Sequence, residues 1–332
     1  MTPAGGLDPP RGKLVPRDQL LKEVWGRATA PRRTHKLHRL GPGAKSIVIA
    51  VDASERSLDA LTLGRLLVDS TAAPVVLMSV FPVDPLADPD EVHYTRAREE
   101  ARTILLELGE EAGLPAPTAQ VIAGNFAARE LQRVSEQEAT GVIVLGSTHH
   151  GPIGRLLPGG VGERLLSGAA CPIAIAPRGY AGHAAVRLER IGVAFDGSDE
   201  SRHALEAGRQ LARSSKAKLR VISVFERVAF GAVATERSGA SVNQRLRADQ
   251  REALAKVAAE QPHEEIESRL LEGSPGHVLA EESAELDLLV TGSRGYGPRA
   301  AVLLGGTTHT LMRKAACPGL VVPRGAKLEL VA

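Results

Sequence analysis

The chain has 332 residues, of which 43% are hydrophobic and 24% are charged, with a formal net charge of +2 at pH 7. At about 150 residues per domain, this length predicts two globular domains that can each bury a hydrophobic core. Aromatic residues make up only 3% of the chain, which argues against a protein that stacks single-stranded bases on aromatic rings.

Apolar runs and cysteines indicate the cellular compartment. No uninterrupted apolar stretch reaches the roughly 18 residues of a membrane-spanning helix, and the N-terminus lacks the basic-then-apolar pattern of a secretory signal. Two cysteines, Cys171 and Cys317, are too few for a disulfide framework or a zinc cage. We therefore expect a cytoplasmic protein with no membrane partner, in which both thiols are small buried hydrophobes.

Residues 1–44 form a basic extension with nine Lys/Arg against three Asp/Glu, and with six Pro and six Gly. This composition predicts a largely disordered or loosely packed arm, with one short amphipathic helix from Asp18 to Arg27. The arm is either a solvated tail or a contact surface for an acidic partner or nucleic acid. It carries no nucleic-acid-binding motif, so a nucleic-acid partner is not favoured.

The rest of the chain contains the same unit twice. IVIAVDASERS begins at Ile47 and IGVAFDGSDES begins at Ile191, which places Asp196 144 residues after Asp52. Two later glycine-rich segments and two Cys-Pro strands keep the same order, and so long a period indicates tandem domains. The predicted divisions are an arm at 1–44, domain 1 at 45–178, a linker at 179–187, domain 2 at 188–324 and a tail at 325–332.

Apolar runs alternate with helical patterns within each repeat, which predicts an α/β fold with a parallel sheet and helices on both faces. In the first repeat, Ser54 is a candidate N-cap for a helix whose apolar face carries leucines. The predicted strands are 47–51, 75–81, 120–122, 141–146 and 173–176. The later helices are predicted at 90–112, 126–137 and 161–166.

Acidic turns follow the first strand of each repeat, at Asp52 and Asp196. Ligands of open parallel sheets bind beyond the carboxyl ends of the strands, where a carboxylate can accept hydrogen bonds from a ribose or a base. The alternative is a helix N-cap, since Asp and Ser both satisfy exposed N–H groups. Both roles are compatible if Ser54 and Ser198 cap the helices and leave the aspartates available.

A glycine-rich loop follows the fourth strand of the second repeat. It reads Gly292-Ser293-Arg294-Gly295, then nine residues, then Gly305-Gly306-Thr307-Thr308. Such a loop lets several backbone N–H groups and a helix N-terminus approach a phosphate, with threonine hydroxyls as further donors. Simple turn chemistry is the alternative. A valine at the end of strand two, Val80 or Val224, could flank a flat base, although burial also explains it.

These anchors together resemble the universal stress protein family over nearly all of residues 45–324. ATP-binding members of that family show G-2x-G-9x-G-[S/T], which the second repeat matches at Gly292, Gly295 and Gly305. The resemblance implies two tandem Rossmann-like domains of the adenine nucleotide alpha hydrolase-like type, each with strand order 3-2-1-4-5. It also implies that the two domains pair through their last strands as an intrachain pseudo-dimer, and leaves a further homodimer open.

The match departs from the family pattern at the phosphate positions. His149 replaces the second glycine of the first repeat, and Gly160 and Gly306 replace the family's Ser/Thr. Domain 2 is therefore the favoured site, and domain 1 the secondary one. The residues expected to bind the nucleotide in domain 2 are Ala194, Phe195, Asp196, Ser198, Val224, Gly292, Arg294, Gly295, Gly305, Gly306, Thr307 and Thr308. Those of domain 1 are Ala50, Val51, Asp52, Val80, Gly146, His149, Gly159 and Gly160.

The resemblance implies a stress-response regulator that binds ATP or a related adenine nucleotide, with or without Mg²⁺, in a non-catalytic role. We find no P-loop, H-E-x-x-H or G-x-S-x-G motif and predict no catalytic residue. The adjacent pair His149-His150 lacks the i, i+4 spacing of a helical metal site, so no metal site is predicted. The alternatives are a tandem stress protein that acts through protein contacts alone, and a slow ATPase.

Overall fold

The computed structural model describes residues 45–52, 54, 56–81, 91–147, 160–227, 236–260, 266–293 and 306–330. The first repeat contributes β1 (Ser46–Ala50), α1 (Arg56–Thr71), β2 (Val75–Phe81), α2 (Glu91–Glu111), β3 (Thr118–Ala123), α3 (Ala127–Ser135), β4 (Thr140–Gly146), α4 (Val161–Leu166) and β5 (Ile173–Ala176). The second contributes β6 (Arg190–Ala194), α5 (Asp199–Ser215), β7 (Lys218–Phe225), α6 (Glu236–Glu260), β8 (Ile266–Glu272), α7 (Pro275–Glu282), β9 (Leu288–Gly292), α8 (Gly306–Lys314) and β10 (Gly319–Val322). The predicted alternation of strands and helices is confirmed in both repeats.

All ten of these strands belong to one sheet, in the order β3-β2-β1-β4-β5-β10-β9-β6-β7-β8. Each half has the order 3-2-1-4-5 that the resemblance implies, so the predicted fold class is confirmed. Neighbouring strands within each half run parallel. At the junction β5 and β10 run antiparallel, with Ala174 opposite Leu320.

The central strands are buried on both faces. Ile47, Val48 and Ile49 of β1 are 0% exposed. Ile47 and Ile49 pack into the core that α1 covers, whereas Val48 belongs to the core on the opposite face with Leu131 and Leu165. A continuous β-branched run is what a doubly covered parallel strand requires. Within the described ranges, no helix combines the length and apolar composition that a bilayer crossing needs.

Glycines bring the first helix of each repeat close to its central strand. A side chain at Gly64 of α1 would collide with Ile49, and one at Gly208 of α5 would collide with Val193. Each helix follows its strand after a short turn, so its N-terminal end lies beside the carboxyl end of β1 or β6. The acidic turns therefore lie at the sheet edge where ligands of this fold class bind.

Some predicted boundaries differ from the structure by one or two residues. The strand predicted at 120–122 is longer, because β3 pairs with β2 from Thr118 through Ala123. The helix predicted at 126–137 is shorter: Phe126 is its N-cap residue and Glu136 its C-cap residue. Such positions depend on which backbone groups find partners in the folded chain, and side-chain patterns do not encode that.

The residues after β10 pack back against the first repeat. Ala326, Leu328 and Leu330 are buried, and the latter two belong to the core that α1 covers. The Leu330 side chain lies against Gly141 at the start of β4, and Glu329 Oε2 forms an ion pair with Lys45 Nζ at 2.5 Å. The segment that follows the second domain therefore contributes to the core of the first.

We expect Leu330→Ala to lower the free energy of unfolding by about 2–5 kcal/mol, the usual cost of emptying a buried leucine site. Urea denaturation followed by circular dichroism measures this change. Val186, which is 94% exposed, provides the control, since Val186→Ala should change stability by less than about 0.5 kcal/mol. Equal effects of the two substitutions would show that the tail does not stabilise the fold.

Candidate functional site

A cavity of about 330 Å³ lies at the carboxyl edge of the second half-sheet. Its walls come from the ends of β6, β7 and β9 and from α5, α6, α7 and α8. Nine residues expected at a domain 2 site line it: Ala194, Phe195, Asp196, Ser198, Val224, Gly292, Gly306, Thr307 and Thr308. The other three, Arg294, Gly295 and Gly305, lie outside the described residues.

A smaller cavity of about 130 Å³ lies at the corresponding edge of the first half-sheet. The expected residues that line it are Ala50, Val51, Asp52, Val80 and Gly146. Gly160 is the N-cap residue of α4, and the cavity reaches that helix at Val161 and Gly162 instead. His149 and Gly159 lie outside the described residues. Sites for small organic ligands usually occupy about 300–1,000 Å³, a range that only the domain 2 cavity reaches.

The aspartate of domain 2 is tied into the start of α5. Asp196 Oδ1 accepts hydrogen bonds from the backbone N–H of Ser198 at 3.1 Å and from its hydroxyl. The Ser198 hydroxyl in turn accepts from the N–H of Ser201 at 3.2 Å. The predicted N-cap at Ser198 is therefore confirmed. The expectation that the aspartate stays free when the serine caps the helix is wrong here, because Ser198 also donates to Asp196 Oδ1.

Domain 1 uses a different arrangement at the same place. Ser54 donates to Asp52 Oδ1 through its N–H at 3.0 Å and through its hydroxyl. The Ser54 hydroxyl accepts from Arg56 Nε at 3.0 Å, and Arg56 Nη2 lies 3.3 Å from Asp52 Oδ2. The predicted side-chain cap at Ser54 is therefore wrong. The backbone N–H of Ser57, in the first turn of α1, donates to the backbone carbonyl of Ser54 and not to its hydroxyl.

The two cavities differ in charge at one matched position. Arg56 lines the first cavity, four residues after Asp52, whereas Glu200 lines the second, four residues after Asp196. Glu200 Oε1 lies 3.5 Å from Arg324 Nε. Sequence reasoning missed both residues, although aligning the two repeats from their aspartates places them opposite each other.

The glycines that end β4 and β9 have a packing role. A Cβ at Gly292 would lie 2.7 Å from the backbone carbonyl oxygen of Glu200, and one at Gly146 would collide with the carbonyl of Arg56. Both positions must therefore be glycine to let the helix N-terminus approach, whether or not a phosphate binds. Gly306 is different, because a Cβ there would meet no atom within 4 Å in the part of the chain that the structure describes.

The two threonines of α8 are placed differently. Thr307 lines the cavity beside Gly306. Thr308 also lines it but is buried, and its hydroxyl donates to the carbonyl of Gly292 at 3.2 Å. Thr308 therefore links α8 to the end of β9, which leaves Thr307 as the better placed hydroxyl donor for a ligand.

The apolar wall contains residues that the sequence analysis did not single out. Leu246 and Gln250 of α6, together with Leu279 of α7, line the cavity alongside Val224. Gln250 Nε2 donates to the carbonyl of Val224 at 3.4 Å. Leu246 and Gln250 are four residues apart and so share a helix face, a spacing that could have identified them.

Both thiols are buried, as predicted. Cys171 is 4% exposed and Cys317 is 6% exposed, and burial raises the pKa of each thiol to about 12. A thiol with so high a pKa is almost entirely protonated near neutral pH, and the thiolate is the reactive form. The two cysteines therefore contribute packing to the cores under β5 and β10.

We expect neither cysteine to react with a thiol reagent such as DTNB at pH 8 in the native protein. At a pKa of about 12, only about one thiol in ten thousand is ionised at that pH, and burial blocks access. Absorbance at 412 nm measures the reaction, and the same protein in urea should release two equivalents. Rapid release without urea would show that a thiol is accessible.

The fold and the cavities define a class: tandem Rossmann-like α/β domains with a candidate ligand site at the carboxyl edge of each half-sheet. The family model described as the universal stress protein family matches residues 43–177 and again residues 187–323. The chain belongs to the universal stress protein family.

Individual relatives agree with this assignment. A universal stress protein of Mycolicibacterium smegmatis is 26% identical over 294 residues, which cover 83% of this chain and 96% of the relative. One from Methanocaldococcus jannaschii is 31% identical over 143 residues, 42% of this chain and 84% of the relative. The crystal structure of a universal stress protein from Archaeoglobus fulgidus has a TM-score of 0.62 at 23% identity, covering 84% of this chain and 98% of its own, and supports the fold.

Proposed function

We propose that this protein is a cytoplasmic stress-response regulator that binds ATP or a related adenine nucleotide in the cavity of domain 2. The observation that carries the proposal is that one cavity brings together an apolar wall, the Asp196 carboxylate and the N-terminus of α8. The apolar wall suits the base of a nucleotide, the carboxylate suits the ribose hydroxyls, and the helix N-terminus suits the phosphates. The protein binds the nucleotide as a signal, and any hydrolysis is slow and incidental.

The apolar wall suits a flat base. Ile222, Val224, Leu246 and Leu279 line one part of the cavity, and burying a heterocycle against them removes apolar surface from water. Asp196 lies at the end of β6, where its carboxylate can accept hydrogen bonds from ribose hydroxyls.

The start of α8 suits a phosphate. The first N–H groups of a helix have no partner within that helix, and its dipole favours an anion at this end. Gly306 and Thr307 form the first turn of α8 and line the cavity. None of the described residues would crowd a Cβ at Gly306, which lets a phosphate oxygen approach the backbone closely.

The charge of the cavity favours a nucleotide that carries a divalent cation. Asp196, Glu200 and Glu226 line it. Glu200 is paired with Arg324, and no lysine or arginine is among the described lining residues. Carboxylates in a cavity wall repel the negative phosphates of a triphosphate that binds there without a cation. Mg²⁺ bound to the phosphates reduces that repulsion, and we propose that the ligand enters as its Mg²⁺ complex.

Domain 1 is the secondary site in this proposal. Its cavity has less than half the volume of the other, and the Arg56 guanidinium pairs with the Asp52 carboxylate that would hold a ribose. The described lining residues of each cavity come from a single repeat, so binding needs no second chain.

The proposal predicts that the purified protein binds ATP in the presence of Mg²⁺ and releases adenine nucleotide into the supernatant when it is denatured. Asp196→Ala should weaken ATP binding by about tenfold or more, because a charge-assisted hydrogen bond to the ribose is lost. Isothermal titration calorimetry measures the affinity. Asp52→Ala is the matched control and should change the affinity less.

Absence of both co-purified nucleotide and binding at millimolar ATP would overturn the proposal and favour action through protein contacts. Equal effects of Asp196→Ala and Asp52→Ala would contradict the ranking of the two sites. Steady phosphate release that a single substitution abolishes would favour the ATPase alternative.

A second prediction concerns the phosphate end. Gly306→Ser should raise the affinity for ATP several-fold, because a side chain there meets no atom of the described residues and its hydroxyl can donate to a phosphate oxygen. Gly306→Ala is the matched control: its Cβ also fits but donates no hydrogen bond. Equal affinities of the Ser and Ala variants would show that no phosphate lies at this position.

A further inference from the structure

Gln250 places an amide group in the wall of the domain 2 cavity. It lies on α6 one turn after Leu246, and both residues line the cavity. Its Nε2 atom donates to the Val224 carbonyl at 3.4 Å. Its Oε1 atom is buried and has no hydrogen-bond partner in the described structure.

The bond to Val224 fixes which end of the amide is which. A carbonyl oxygen accepts hydrogen bonds, so the amide group that faces it must be the NH₂ end. The other end is therefore an acceptor. Buried acceptors in native proteins nearly always have a partner, and because Gln250 lines the cavity, a ligand that packs against it can supply the missing donor.

We propose that Gln250 determines base specificity in this cavity, by accepting a hydrogen bond from the exocyclic amino group of adenine. This inference rests on the proposed function. The bond from Nε2 to the Val224 carbonyl at 3.4 Å keeps the NH₂ end engaged, so Oε1 is the end of the amide that remains for a base in the cavity. Guanine and hypoxanthine present a carbonyl oxygen in place of that amino group, and two acceptors repel each other.

This feature belongs to domain 2 alone among the described cavity walls. The residues that line the domain 1 cavity include Met78 and Leu131 but no amide side chain, and none of them comes from α2, the counterpart of α6. Base selection by this residue is therefore expected only for the larger cavity.

The test compares ATP, GTP and ITP, each with Mg²⁺, by calorimetry on the full chain. The wild type should prefer ATP over GTP and ITP by tenfold or more, in the range that buried hydrogen-bond matching provides. Gln250→Met, which keeps the length and loses the acceptor, should reduce that preference about five- to tenfold, mainly by weakening ATP. Arg251→Met is the control, because Arg251 lies on the same helix but is exposed and is not among the residues that line the cavity, and it should leave the preference unchanged.

A second measurement changes the nucleotide and leaves the protein unchanged, so it tests the proposal even if Gln250→Met does not fold. Purine riboside triphosphate lacks the amino group, so the wild type should bind it about five- to tenfold more weakly than ATP. A folded Gln250→Met should bind both equally.

Binding with the same ATP preference in wild type and Gln250→Met, or equal wild-type affinity for ATP and purine riboside triphosphate, would overturn the role of Gln250 alone. Failure of the wild type to bind any of these nucleotides would overturn the proposed function, and the role of Gln250 with it.

Discussion

The antiparallel pairing of β5 with β10 is the contact on which the whole architecture depends. It joins two five-stranded parallel sheets into one sheet of ten strands, and it covers two strand edges that would otherwise present unpaired backbone groups. Because the pairing is antiparallel, the strands of the two halves point in opposite directions. The carboxyl ends of the first five strands therefore point one way along the strand direction and those of the second five point the other way. The two cavities, which lie at these ends, are on opposite sides of the common sheet along that direction. Each cavity must accordingly be built from its own repeat, as the lining residues are.

The arrangement of strands could be predicted from the sequence because it depends on short apolar runs that repeat in register. Runs such as 47–51 are buried on both faces, which only the middle of a covered parallel sheet allows. The residues at strand ends, including Asp196 and Val224, could be placed for the same reason, since a parallel sheet brings the carboxyl ends together. The strand order 3-2-1-4-5 could be predicted from the family resemblance, but not from the pattern of apolar runs alone.

The cavity wall could be predicted less well, because it depends on how helices pack over the strand ends. Gln250 and Leu246 reach the cavity only because α6 lies across the end of β7, and its rotation is set by tertiary contacts. The packing role of Gly292 could not be predicted from the sequence either. Its missing side chain admits the backbone of Glu200, a contact between segments about 90 residues apart that no local pattern reveals.

The two repeats share one backbone arrangement but carry opposite charges at one position of the cavity wall. This difference explains how two copies of one fold can differ in function. The approach of the first helix to the end of the fourth strand is the same in both repeats, at Gly146 and at Gly292. The residue in that helix turn is Arg56 in one copy and Glu200 in the other. In domain 1 the arginine pairs with the Asp52 carboxylate, whereas in domain 2 a second carboxylate, itself paired with Arg324, joins Asp196 at the cavity wall. The geometry that brings a ligand to the sheet edge is therefore kept, while the electrostatic preference for that ligand is set separately in each copy.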